Sequence, residues 1–155
     1  MAVATRLKDL FEKRKVEYEV LDHAPAFTAQ EEAAATHVPG RNWAKTVVLL
    51  VDGDPVLAVL PATRRLDLDA FARAAGAKEV ELADEEVFRR LYPDCEPGAM
   101  PPFGHLYDQT TFVDESLRED EYIAFHAGDH KTAIKLPYAV FEELEEPVAA
   151  LFSES

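Results

Sequence analysis

"KTVVLLVDGDPVLAVLP", residues 45–61, decides the fold. Its first half is an apolar run headed by a lysine, "DGDP" is a tight turn, and "VLAVLP" returns. Two apolar runs around such a turn predict a β-hairpin. The amphipathic spacing of Leu7, Leu10 and Phe11 predicts a helix over 4–15. "VEYEVLDH" alternates Val16, Tyr18 and Val20 against Glu17 and Glu19, which predicts a half-buried strand. Thr28 with Glu31 three residues on reads as a capping box at a helix start. After the hairpin, a helix carries Leu68, Phe71, Ala72 and Ala75 on one face and stops at Gly76; a strand follows. A short helix begins at Asp84. Strands are predicted at 105–113, 122–127 and 132–136, and Pro137 suits the first position of a last helix. Helices and strands mix without a repeated βα unit. The expectation is a single α+β domain over residues 1–155, around a mixed, largely antiparallel, curved and barrel-like sheet.

The chain has 155 residues, a net charge of −14 and one cysteine, Cys95. A lone cysteine cannot form an internal disulfide, which fits a reducing, cytoplasmic setting. No apolar run approaches the roughly 18 residues of a membrane span, so no membrane role is expected. Residues 1–50 carry seven basic and seven acidic side chains, 51–109 six and twelve, and 110–155 three and eleven. A long basic groove for DNA or RNA is therefore disfavoured; contact with a nucleic acid would be local and drawn from the first third.

Residues 97–104, "PGAMPPFG", hold three prolines and two glycines. Proline fixes φ, and glycine permits positive φ and close approach, so this loop has a specified shape. It reads either as a rigid surface connection or as a backbone wall for a ligand. Lys45, at the entry of an apolar strand, reads either as a snorkelling strand end or as a point charge for a phosphate or carbonyl oxygen. The five histidines lack ligand spacing, because Gly128 and Asp129 turn the chain between His126 and His130. No metal or cofactor is expected. There is no nucleophile elbow, P-loop or dinucleotide glycine pattern. Asp94 and Glu96 flank Cys95, and negative neighbours disfavour a thiolate. A site without nucleophile or cofactor can still work by positioning and backbone dipoles.

Four segments carry a resemblance through their order and spacing: "FTAQEEAAATHVPGRNWAKTVVL" (27–49), "LAVLPA" (57–62), "GAMPPFG" (98–104) and "FHAGDHKTAIKL" (125–136). From about His23 to Pro147 the chain resembles the YbaK and prolyl-tRNA-synthetase-associated domain family of free-standing, trans-editing aminoacyl-tRNA deacylases. The resemblance implies hydrolysis of the ester joining a wrong, small amino acid to the terminal ribose of a tRNA, usually one for proline. The partners it implies are the aminoacylated CCA end and prolyl-tRNA synthetase. The family's lysine falls on Lys45, its Gly-x-x-x-Pro loop on Gly98 to Pro102, and its pocket histidine on His130. Lys45 and Gly98 would then be catalytic, with the substrate's vicinal hydroxyl helping to activate water. Phe27, Val47, Ala99, Met100, Pro101, Pro102, Phe103 and His130 would bind substrate. Thr46 follows the lysine where the alanine-specific branch usually has asparagine, which leaves serine, threonine or another small residue open. The rival expectations are a non-catalytic binding module of the same fold and a small-molecule esterase or lyase using Lys45 as nucleophile.

Overall fold

The computed structural model describes residues 3–26 and 28–155. Helix α1 (Thr5–Arg14) buries Leu7 and Phe11, as its spacing predicts, and ends where Lys15 enters the left-handed region at φ 54°. Strand β1 (Glu19–Asp22) is shorter than expected, and its phase is shifted by one. Val20 is 43% exposed while Leu21 packs inward. The amide of Val16 donates back to the Phe11 carbonyl, so that residue still belongs to the helix cap. Helix α2 (Ala29–Thr36) opens with the expected capping box: Thr28 and Glu31 each accept the other's backbone N–H.

Strands β2 (Ala44–Val51) and β3 (Asp54–Pro61) form the predicted hairpin, in register from Ala44 opposite Pro61 to Val51 opposite Asp54. Asp52 and Gly53 turn at φ 50° and 90°, the twist that suits a two-residue hairpin loop. Next come β4 (Arg65–Leu66), α3 (Leu68–Ala75), β5 (Val80–Leu82) and α4 (Glu85–Leu91). Asp67 and Asp84 cap the two helices, and Gly76 ends α3.

The strand expected at 105–113 is mostly not a strand. A 3-10 turn occupies Gly104–Tyr107, and only Thr111–Asp114 pairs, as β6. The Gly104 amide donates to Thr111 Oγ1, and the Gln109 amide donates to the Gly104 carbonyl; these bonds close the segment on itself. Strands β7 (Tyr122–His126) and β8 (Thr132–Pro137) follow as predicted. Helix α5 (Tyr138–Glu145) has Pro137 at its cap rather than inside its first turn. Two strands beyond it, β9 (Val148–Ala150) and β10 (Ser153–Glu154), escaped the sequence reading.

The result is an α+β fold with mixed sheets. One sheet runs β5-β2-β3-β6-β9, its last two pairings parallel; β1-β8-β7 is antiparallel; β10 pairs with β4. A bridge from Trp43 to Ala124 ties the first two sheets together. Side chains alternate across β2. Val47, Leu49 and Val51 face Phe71 and Phe152, whereas Ala44 and Val48 face the Phe103 and Met100 side. Phe103 is fully buried, with rings of Phe11, Phe125 and Phe141 at 5.9, 5.6 and 5.5 Å. It pins the end of the Pro/Gly loop into the core. Among the described residues no helix is long and apolar enough to cross a membrane.

Candidate active site

The Pro/Gly loop is fixed from both ends. The Glu96 amide donates to the Gly128 carbonyl, and the Glu96 carboxylate accepts from the His130 amide at 2.9 Å. The loop is thereby stapled to the turn between β7 and β8. Ala99, Met100, Pro101, Pro102 and Phe103 are buried, while Gly98 is exposed. Gly98 has φ +85°, and an added Cβ would stand 3.8 Å from His130 Cε1, an ordinary contact. Backbone conformation, not crowding, is what demands glycine there.

His130 bridges two segments. Its Nε2 lies 2.9 Å from the Pro97 carbonyl and its Nδ1 3.1 Å from the Ala26 carbonyl. A neutral imidazole carries one N–H, so it donates to one carbonyl at a time; the imidazolium donates to both. Either way the ring is held between loop and α2 leader, which suits a pocket wall better than a free base. The structure thus brings His130 and Gly98 together.

Lys45 sits elsewhere. Strand alternation puts its side chain on the face of Val47 and Leu49, opposite that of Ala44 and Val48, and its Nζ donates to the Arg64 carbonyl at 2.7 Å. Half-burial holds its ammonium below the ordinary lysine value. Beyond Arg64 opens a cleft of about 660 Å³ lined by Arg41, Asn42, Thr63 and Arg64 but also by Glu119, Asp120 and Glu121. The outer edge of β2, the strand that carries Lys45, is only partly paired. It is paired by Ala124 at Trp43 and by β5 at residues 49–51; among the described residues no strand runs beside 45–47. Val48 turns its carbonyl outward to the Ala83 amide. Thr46, two residues earlier, turns its N–H and C=O to that same edge. Sequence reasoning passed over this gap, because only the short reach of β5 creates it.

The remaining expected residues divide. Phe27 lies outside the described residues. Val47 is half-buried on the Lys45 face. Met100 is 3% exposed and packs with Val48, Leu57, Phe88, Tyr92 and Tyr107, so this side chain belongs to the core and the exposed part of the Gly98–Pro102 segment is Gly98. The Cys95 thiol is pushed up to about 12, by burial first and by Asp94 in addition, while its contacts with Tyr107 and Arg6 act the other way; it is an inert thiol.

A second group was missed. Glu32 of α2 is 0% exposed. Its Oε1 lies 3.0 Å from His23 Nε2 and 3.2 Å from His126 Nδ1. These are hydrogen-bond lengths, yet both Glu32 oxygens and both of those nitrogens lack a well-directed partner among the described residues. Burial, with Asp129 and Glu31 adding repulsion, pushes the Glu32 carboxyl up to about 8. Burial and the neighbouring His130 push His126 down to about 4. Among the described residues no group of three or more His, Cys, Asp or Glu side chains is arranged as a metal ligand set.

Glu32 links stability to pH. Its folded value lies above the unfolded one, 4.5, so its contribution is fully present below pH 4.5 and is lost as pH rises through about 8. Urea melts from pH 5 to 8.5 are expected to show the native protein losing roughly 2–4 kcal/mol more than Glu32→Gln. Parallel stability curves would contradict this.

The comparisons with known proteins bear on the same segments. The model of the aminoacyl-tRNA editing domain matches residues 23–144, from the buried His23 through the loop and His130 into α5. This chain belongs to that family. Solved structures place the editing-domain chain in the same fold. A crystal structure of a candidate trans-editing enzyme for prolyl-tRNA synthetase superposes with TM-score 0.86 at 23% identity, covering 98% of this chain and 97% of the other. The hypothetical protein APE2540 superposes with TM-score 0.86 at 22% identity, covering 96% and 99%.

Proposed function

We propose that this editing-domain protein is a trans-acting deacylase that hydrolyses the ester of a tRNA, one for proline, carrying a small wrong amino acid such as alanine, serine or threonine. The observation that carries the reading is the stapled loop: Gly98, at φ +85°, is exposed beside His130 while the residues that follow it, 99–103, are buried. Backbone groups preorganised in this way can face a reacting carbonyl without reorganising, an effect worth roughly 10²–10³ in rate. The substrate would lie along the open edge of β2, meeting Gly98 and His130 from one face and Lys45 from the other. Lys45 would leave the Arg64 carbonyl for the terminal phosphate or the ester oxygen, a charge-assisted exchange that half-burial strengthens. The hydroxyl beside the ester would help activate water, so no protein base is required. The similarity in fold to the candidate trans-editing enzyme for prolyl-tRNA synthetase supports that synthetase as docking partner, and membership of the aminoacyl-tRNA editing family supports a cytoplasmic place of work.

Editing exists because one methylene or hydroxyl is worth only about 1–3 kcal/mol in a synthetic site. The test is a deacylation screen over alanyl-, seryl-, threonyl- and cysteinyl-tRNA for proline beside correctly charged prolyl-tRNA. Hydrolysis of at least one small-residue ester, at least tenfold faster than the prolyl ester, is expected. Failure on all of them would overturn the reading in favour of a binding module.

A further inference from the structure

The Glu32 cluster has no part in the chemistry proposed above, yet it lies directly behind the pocket histidine. The His126 ring stands edge-on to Trp43 at 5.4 Å and to His130 at 5.4 Å. His126 therefore reaches Glu32 at one end and lies perpendicular to the His130 ring. His23 completes the group. Its Nδ1 lies 2.7 Å from the Ala24 carbonyl, an acceptor only, so Nδ1 carries a proton, and in the neutral ring Nε2 presents a lone pair to Glu32. A carboxylate facing that lone pair would set two acceptors against each other in a dry site. A carboxylic acid removes the conflict, because its O–H can donate to His23 Nε2, 3.0 Å away.

The geometry points to Glu32 as a positioning residue that, in its protonated form and through His126, holds the His130 ring between the Pro97 and Ala26 carbonyls beside Gly98. This deepens the deacylase reading and rests on it for its catalytic consequence, though not for its structural one. The groups facing Glu32 are Glu31 on its own helix, His23 after β1, His126 on β7, and Asp129 and His130 in the turn that follows β7. Loss of the Glu32 proton puts a negative charge among two imidazoles and two other carboxylates. The His126 ring then faces a full negative charge 3.2 Å from its Nδ1, and its packing on His130 changes with it. Glu32 touches no substrate; its effect is on the orientation of the wall.

Two readouts separate the outcomes. The first is the pH dependence of the histidine ring nitrogen resonances between pH 6 and 10, in the native protein and in Glu32→Gln. In the native protein, the His126 and His130 signals are expected to move with one shared midpoint near pH 8, and that step is expected to vanish in Glu32→Gln. The second is single-turnover deacylation. The native maximal rate should fall several-fold through the same midpoint at unchanged half-saturating tRNA, and the glutamine variant should show no such step. A native protein without deacylase activity but with the shared midpoint would overturn the catalytic reading and leave Glu32 as positioner. A His130 signal indifferent to pH near 8, or a step that persists in Glu32→Gln, would overturn the inference itself. The native titration decides this even if the glutamine variant does not fold.

Discussion

Lys45→Ala is expected to slow single-turnover deacylation about 100-fold while leaving the melting temperature within a few degrees of the native protein. The two halves of this expectation have separate causes. In the free protein the ammonium donates to the Arg64 carbonyl, and the side chain is only half-buried. Removing one such bond costs roughly 1 kcal/mol. In the reaction the same charge would meet a phosphate or developing ester oxygen in a site from which water is partly excluded, where one donor is worth roughly 10²–10³ in rate. Its lowered affinity for the proton, caused by half-burial, points the same way, since the desolvated ammonium gains most when an anion arrives. Lys45→Arg should recover part of the rate, because the charge returns but the planar fork does not reproduce a point donor. An alanine variant within threefold of the native rate would remove the lysine from the chemistry.

Gly104→Ala is expected to be the most destabilising single-methyl addition in the loop, by roughly 3 kcal/mol, or about 6–12 °C in Tm. A Cβ at this position would stand 2.6 Å from Thr111 Oγ1 and 2.7 Å from the Gln109 carbonyl, neither of which is a flexible side-chain end. The Gly104 amide donates to Thr111 Oγ1, which donates in turn to the buried Glu145 carboxylate at 2.6 Å. His105 Nδ1 contacts the other oxygen of that carboxylate. An extra methyl therefore strikes the centre of a polar network, and breaking it leaves Glu145 buried with fewer donors. Thermal melts of the two proteins check the expectation; a Tm loss under 2 °C would show that the turn has slack. Gly98→Ala makes a useful contrast, since its methyl meets only ordinary contact and the cost is confined to backbone strain at φ +85°, about 1 kcal/mol.

The parts of this molecule that local chemistry dictates were legible in the sequence. The hairpin at residues 45–61 follows from two apolar runs around Asp52-Gly53, and Thr28, Asp84 and Gly76 mark helix ends because their side chains, or the lack of one, satisfy backbone groups directly. The parts set by distant contacts were not. Residues 105–110 read as strand because they are partly apolar, but a bond from Gly104 to Thr111 closes them into a turn. The phase of β1 follows from its pairing with β8, which no local pattern records. The short strands β9 and β10 are held by β6 and β4. The candidate site divides in the same way. Gly98 and the prolines announce a shaped loop, and the resemblance pointed to His130. Nothing in "AQEEAAAT" distinguishes Glu32, buried between two imidazoles, from Glu31, which caps the helix at the surface. The opposite facing of Lys45 and Met100 depends on strand phase relative to two different partners.

The central claim is that this site positions an activated ester and lets the RNA supply the missing catalytic group. The most direct measurement is single-turnover hydrolysis of a mischarged tRNA whose terminal adenosine lacks the hydroxyl next to the ester, set beside the same tRNA with that hydroxyl present. A loss of two orders of magnitude or more at unchanged tRNA binding is the predicted result. Equal rates for the two substrates would mean that the protein itself activates the water, and would contradict the account.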